Sequence, residues 1–253
     1  MKPYILAETS WFTVKDQHYD LAVLPWGATE AHNYHLPYSA DIIEGAKISE
    51  GAAKVAWDKG AKVIVLPTIP FGVNTGQREI MFDINMNPST QAAILKDVLD
   101  VLNHHGLHKL LIMNSHGGND FRQILRELGG KYPDMFLCTC NFWQALNLKN
   151  YFDEPGDHAG EMETSLLMYL VPELVLPLDK AGQGKEKKIK IKAFHEGWAW
   201  EERKWHKVTE DTGIGDPKKA TADKGKKYYT DLVNKIGELM YELATTNPED
   251  LYQ

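Results

Sequence analysis

The 253 residues carry 28 basic and 35 acidic side chains, a formal net charge of −7, with 43% hydrophobic residues and two cysteines. The charge is spread without long single-sign blocks, which argues against a nucleic-acid surface, and no run approaches the ~18 consecutive apolar residues of a membrane span. With no basic-then-apolar export pattern and two cysteines, Cys138 and Cys140, too close along the chain for a structural staple, the composition predicts one α/β domain, residues 1–253, in the cytoplasm.

Taken in order, the chain alternates strand and helix signals. Leu21 to Leu24 has the length of a buried strand and breaks at Pro25 and Gly27 into a loop. Ile42, Ile43, Ala46, Ala53 and Trp57 recur at helical spacing over Asp41 to Trp57, up to Gly60. Lys62 to Leu66 is a short β-branched strand, and the proline- and glycine-rich segment Pro67 to Gln77 is a long loop. Ser89 is a candidate cap for a helix through Leu102, with Gly106 as its stop, and Lys109 to Met113 is a third strand. That strand runs into Asn114-Ser115-His116-Gly117-Gly118-Asn119-Asp120, where Asn119 or Asp120 can cap a helix carrying Phe121, Ile124, Leu125 and Leu128. Met135 to Cys140 is a fourth strand, in which Cys138 and Cys140 point to the same side as small reduced residues. Strand, helix, strand repeats predict a mainly parallel sheet flanked by helices, with its binding crevice at the carboxyl ends of the strands.

The later chain is less regular. Gly156 to Ser165 holds His158, Glu161 and Glu163 ahead of an apolar helix that begins near Gly160 and ends near Pro172. Gly182 to Lys192 alternates Lys with Ile and Ala as an exposed ribbon would, and Phe194 to Trp205, with Trp198, Trp200 and Trp205, has no readable shape. Asp216-Pro217 looks like the cap and first position of a last helix with Tyr228, Leu232, Ile236, Leu239 and Leu243 on one stripe.

The chemistry sits in the loops. Glu30, His32, His35 and Asp41 crowd two carboxylates and two imidazoles just outside the end of the first strand, an arrangement that is costly unless a cation neutralises it. His116 lies at the strand-to-helix turn of the third strand, on the same predicted edge. His18, His104, His105, His108, His195 and His206 stand apart from such clusters and read as solvated, Lys185 to Lys192 as a solvated edge, and the tryptophans as packing, with one of them a candidate cover for the site.

GATEAHNYHLPYSAD, NSHGGN, HAGEMETS and VTEDTGIGDPKKAT, in that order, resemble the signature blocks of the creatininase family of metal-dependent amidohydrolases. The resemblance implies a homo-oligomeric α/β protein, often a hexamer, with two divalent ions and a small-molecule amide substrate. It implies Glu30, His32, Asp41 and His116 as metal ligands, Asp41 bridging the two ions, and His158 and Glu163 at the reaction centre. Creatinine-hydrolysing members carry a glutamate where this chain has Gly118, so Glu163, with Glu161 in reserve, is expected to complete the second metal. The segment Gln77 to Asn85 also departs from the histidine and F-P-G-T run of many relatives, which puts creatinine in doubt as the substrate.

Mixed carboxylate and imidazole ligands suit Zn foremost, and also Mn or Fe; two such ions roughly 3.5–4 Å apart share a water and lower its pKa toward ~7. The expected chemistry is attack of that bridging hydroxide on the C–N amide carbonyl of a cyclic amide or formamide, with His158 as the acid or the oxyanion donor. The alternative is a non-catalytic metal-binding structural or assembly protein of the same fold.

Overall fold

The computed structural model describes residues 2–252. In chain order the main elements are β1 (Leu21–Trp26), α1 (Ala40–Asp58), β2 (Val63–Val65), α2 (Pro88–His104), β3 (Lys109–Asn114), α3 (Arg122–Lys131), β4 (Phe136–Asn141), α4 (Glu161–Leu170) and α5 (Ala222–Thr245). All strand pairs are parallel, in the order β2-β1-β3-β4. Period-two alternation splits the core. Leu21, Val23, Leu111 and Met113 face α1, α4 and α5, while Ala22, Leu24, Trp26, Leu110 and Ile112 face α2 and α3. Burying a side chain of this size stabilises by about 1.5–3 kcal/mol, so two dry faces hold the layers together. Cys138 and Cys140 share one face as free thiols, pushed up by burial to about 12 and about 11.

Topology places the crevice. The chain steps from β1 outward to β2, then crosses back over β1 to β3, so α1 and α2 fall on opposite faces and the loops after β1 and β3 diverge from neighbouring strands. Such a reversal leaves a gap at the carboxyl edge, and the loops bearing Glu30, His32 and His116 line it.

The element boundaries differ from the sequence expectation in several places. β1 runs through Pro25 to Trp26: β2 has ended at Val65, and the Pro25 carbonyl accepts from Ile69 N–H (3.0 Å), so the missing proline N–H breaks no bond to β2. α2 begins at Pro88, not after Ser89, because proline at the first helical position needs no N–H partner. Asp216-Pro217 opens a separate 3₁₀ turn, Pro217–Lys219, with Asp216 accepting from Lys218 N–H; α5 starts at Ala222, capped by Thr221 accepting from Lys224 N–H (3.2 Å). Asn119 caps nothing. Its carbonyl oxygen accepts from Val73 N–H (3.1 Å) and the Gln91 amide (2.8 Å), tying two loops to α2, while Asp120 accepts from Arg122 N–H at the start of α3. The Gly182 to Lys192 stretch forms no ribbon; Gly215 N–H to Gly184 O (2.9 Å) and Lys187 N–H to Val208 O (2.7 Å) pin it as irregular chain.

Candidate metal centre

Glu30, His32, Asp41, His116 and His158 come together from four segments of the chain and are all buried; Glu163 is half-buried beside them. The loop after β1 delivers Glu30 and His32, the first turn of α1 Asp41, the loop after β3 His116, and the loop before α4 His158. Ser115 clamps two of these segments, its hydroxyl donating to Asp41 O (2.7 Å) and its N–H to Trp26 O (3.0 Å). Asn33 (φ 54°) and Ala159 (φ 51°), each directly after a site histidine, hold left-handed backbone, a strain on the order of 1 kcal/mol or more that the surrounding contacts impose.

The ligand atoms fall into three overlapping groups: Glu30, Asp41 and His116; His32, Asp41 and Glu163; and Glu30, His32 and His158, with the atoms of each group within 4.8 Å of one another. Asp41 belongs to the first two, Glu30 to the first and third, and His32 to the second and third. His116 Nδ1 is 3.0 Å from both Glu30 Oε1 and Asp41 Oδ2; His32 Nε2 is 3.0 Å from Asp41 Oδ1 and 3.9 Å from Glu30 Oε1; His158 Nδ1 is 3.7 Å from Glu30 Oε1.

Each imidazole tethers its other nitrogen to a backbone carbonyl. His116 Nε2 donates to Val73 O (3.0 Å), His32 Nδ1 to Glu30 O (3.1 Å) and His158 Nε2 to Ala31 O (2.9 Å). That fixes the tautomer in which the inner nitrogen is a lone-pair donor facing carboxylate oxygens, the arrangement of metal-ligating histidines. Gln77 donates to Glu30 Oε2, and Ala159 N–H donates to Glu163. Without cations, burial pushes His116 and His32 down, but Glu30 beside the first and Asp41 beside the second outweigh it and hold both well above the usual imidazole range. Burial raises Glu30, yet the surrounding imidazoles, His116 foremost, bring it far below the carboxylate norm. Glu163 is raised, by burial first.

Glu161 does not join the cluster. Two residues along a helix turn a side chain by roughly 200°, so Glu161 points away from Glu163, accepting from Glu154 N–H (2.8 Å) and pairing with Lys224. His35 stands behind, with Nε2 2.9 Å from Thr164 Oγ1. His18, His104, His105, His108, His195 and His206 are all exposed.

Sequence reasoning missed three side chains. Gln77 and Asp83 arrive from the irregular segment after β2; Asp83 accepts from Ala31 N–H (2.7 Å), and burial raises it to about 7. Glu44, on the buried face of α1, has no hydrogen-bond partner among the described residues. A carboxylate in an apolar helical stripe is the one signal that would have marked it. Of the tryptophans, Trp205 meets His158 edge-to-face at 4.9 Å and Arg203 lies over its ring at 5.7 Å, whereas Trp198 and Trp200 are 74% and 84% exposed.

The creatininase family model, described as creatinine amidohydrolase, matches residues 7–240. A solved Bacteroides fragilis NCTC 9343 protein assigned as a creatinine amidohydrolase is 43% identical, covers 100% of both chains and superposes with a TM-score of 0.93. The creatinine amidohydrolase of Pseudomonas putida is 25% identical over 174 residues, 60% of this chain and 65%, just under two thirds, of that enzyme. The mycofactocin precursor peptide peptidase of Mycobacterium ulcerans (strain Agy99) is 23% identical over 227 residues, 84% of this chain and 81% of that protein. With a family model spanning nearly its whole length and a like-sized structure at 43% identity, the chain belongs to the creatininase family of amidohydrolases.

Proposed function

We propose that this protein hydrolyses the C–N amide bond of a small substrate, a cyclic amide or a formamide, with two divalent cations held by Glu30, His32, Asp41, His116 and Glu163. The observation that carries the reading is the triple tether: three buried imidazoles each spend one nitrogen on a backbone carbonyl and turn the other on shared carboxylates, an assembly of acceptors that a cation satisfies and a proton satisfies only partly. Carboxylate and imidazole donors suit Zn, with Mn and Fe close behind, and solved creatininases of a manganese and a Zn–Zn type support the first two. Two such cations supply Lewis acidity and a water acidic enough to ionise at neutral pH.

The chain's own groups do the rest. Asp41 holds both halves of the centre in register, Gln77 and Ala159 N–H orient Glu30 and Glu163, and His158 turns the lone pair of Nδ1 inward, where it would take the proton that the nucleophilic water loses and, as the imidazolium, pass it to the departing nitrogen or donate to the developing oxyanion. Trp205 covers one edge of His158 and limits water there. The exposed Met81, Phe82, Trp198 and Trp200 fit a homo-oligomer, and the two free thiols fit a reducing, cytoplasmic setting.

Metal analysis of the purified protein combined with a turnover screen over lactams, hydantoins, formamides and short peptides tests this; the peptides are included because a relative is a peptide peptidase. Glu30→Ala and Asp41→Ala are expected to lose bound metal and turnover together. His158→Ala is expected to keep the metal and lose turnover by about 10²–10⁴-fold. A metal-loaded protein inert toward every amide class would leave the non-catalytic metal-binding reading standing instead.

A further inference from the structure

Behind the centre lies a carboxylate with no assigned task. Glu44 sits one turn along α1 from Asp41, is 0% exposed, and neither of its oxygens has a hydrogen-bond partner among the described residues. It lies where α1 packs against α4 and α5, and the charged groups facing it are Glu163, Asp41 and His32. Tyr228 of α5 buries a hydroxyl that is likewise unpartnered, within electrostatic reach of both Glu44 and Glu163. Two polar groups orphaned side by side in a dry core cost several kcal/mol unless they meet each other or share a buried water.

The turn after β3 cannot provide what the second subsite lacks. A Cβ at Gly118 would run into the Val73 carbonyl and the His116 ring, so no carboxylate fits there without moving both. The subsite of His32, Asp41 and Glu163 therefore rests on two carboxylates, of which Glu163 accepts, among the described residues, a hydrogen bond from Ala159 N–H alone.

We propose that Glu44 is a positioning residue for this subsite: linked to the Tyr228 hydroxyl and to Glu163 through one buried water, it holds the Glu163 carboxylate in place and sets how tightly the subsite retains its cation. The inference rests on the cation-binding reading above. Groups that orient metal ligands change affinity by about 10–100-fold when removed, without being ligands themselves.

Calorimetric titration of the metal-free, full-length protein with Zn²⁺, repeated with Mn²⁺, tests it. Glu44→Gln keeps the volume and is expected to weaken one of two metal equivalents by about 10–100-fold, leave the other unchanged, and recover turnover in excess metal. Tyr228→Phe removes only a hydroxyl and should weaken the same equivalent. Both equivalents binding Glu44→Gln as they bind the parent protein would overturn the proposal; if Glu44→Gln does not fold, unchanged affinities in Tyr228→Phe overturn it. The parent protein and Glu163→Gln separate the two levels. If the parent protein binds no metal, the cation-binding reading falls and this inference with it; if Glu163→Gln binds both equivalents normally, Glu163 is no ligand and this inference falls, whereas loss of one equivalent in Glu163→Gln but not in Glu44→Gln sinks this inference alone.

Discussion

His35 is the imidazole that its surroundings keep neutral. Burial, and then the charge of His32, lower it to about 4, and its Nδ1 has no hydrogen-bond partner among the described residues. An imidazole with a folded pKa near 4 and an unfolded one near 6.5 stabilises the protein fully above pH 6.5 and loses that contribution as pH falls toward 4, because the unfolded chain then binds the extra proton. Denaturant melts of the metal-free protein at pH 7 and pH 5 should differ by on the order of 2 kcal/mol more in the parent than in His35→Gln; equal differences would mean that His35 titrates normally. Glu161 gives the opposite kind of residue. Its substitution by Gln should cost on the order of 2 kcal/mol by weakening the Lys224 pair, while metal stoichiometry stays unchanged. At this scale the sequence named the chemistry of the centre but not the choice between Glu161 and Glu163, since both fall in one helical turn and only the angle between them decides.

The packing of α4 on α5 depends on a residue with no side chain. A Cβ at Gly225 would collide with the Ser165 carbonyl, so the two helices lie closer there than any other residue allows. Gly225→Ala should therefore cost about 3 kcal/mol and disturb α4, which carries Glu163, with metal affinity falling alongside stability in urea titrations. Gly129 on α3 has nothing within 4 Å of its would-be Cβ, and Gly129→Ala should stabilise by about 0.5–1 kcal/mol with no effect on the centre. The strands and long helices were readable because their periodicity is local. The start of α5 was not: Asp216-Pro217 satisfies a helix's opening chemistry, and only the 3₁₀ turn at Pro217–Lys219 followed by the Thr221 cap assigns the real beginning.

Across the whole molecule, the candidate centre draws on the loops after β1 and β3, the N-terminus of α1 and the segment entering α4, so it is also a staple between segments far apart in the chain. Ligands that bind only the folded state stabilise it by about 2.7 kcal/mol each at a hundredfold excess over Kd, and two cations together should raise Tm by on the order of 10 °C. Scanning calorimetry before and after chelation measures this; an unchanged Tm would deny the centre any cation.

From its order of residues alone the protein declared a parallel α/β sheet with two buried faces and an acid- and histidine-rich edge, because alternation, helical spacing and crowded ionisable groups are properties of neighbours in sequence. Only the tertiary structure decided that the imidazoles turn one nitrogen outward to backbone carbonyls, that Gln77 and Asp83 reach the site, and that Glu44 and the Tyr228 hydroxyl are sealed behind it. Those are angles and distances between segments dozens of residues apart, and they depend on how the layers pack.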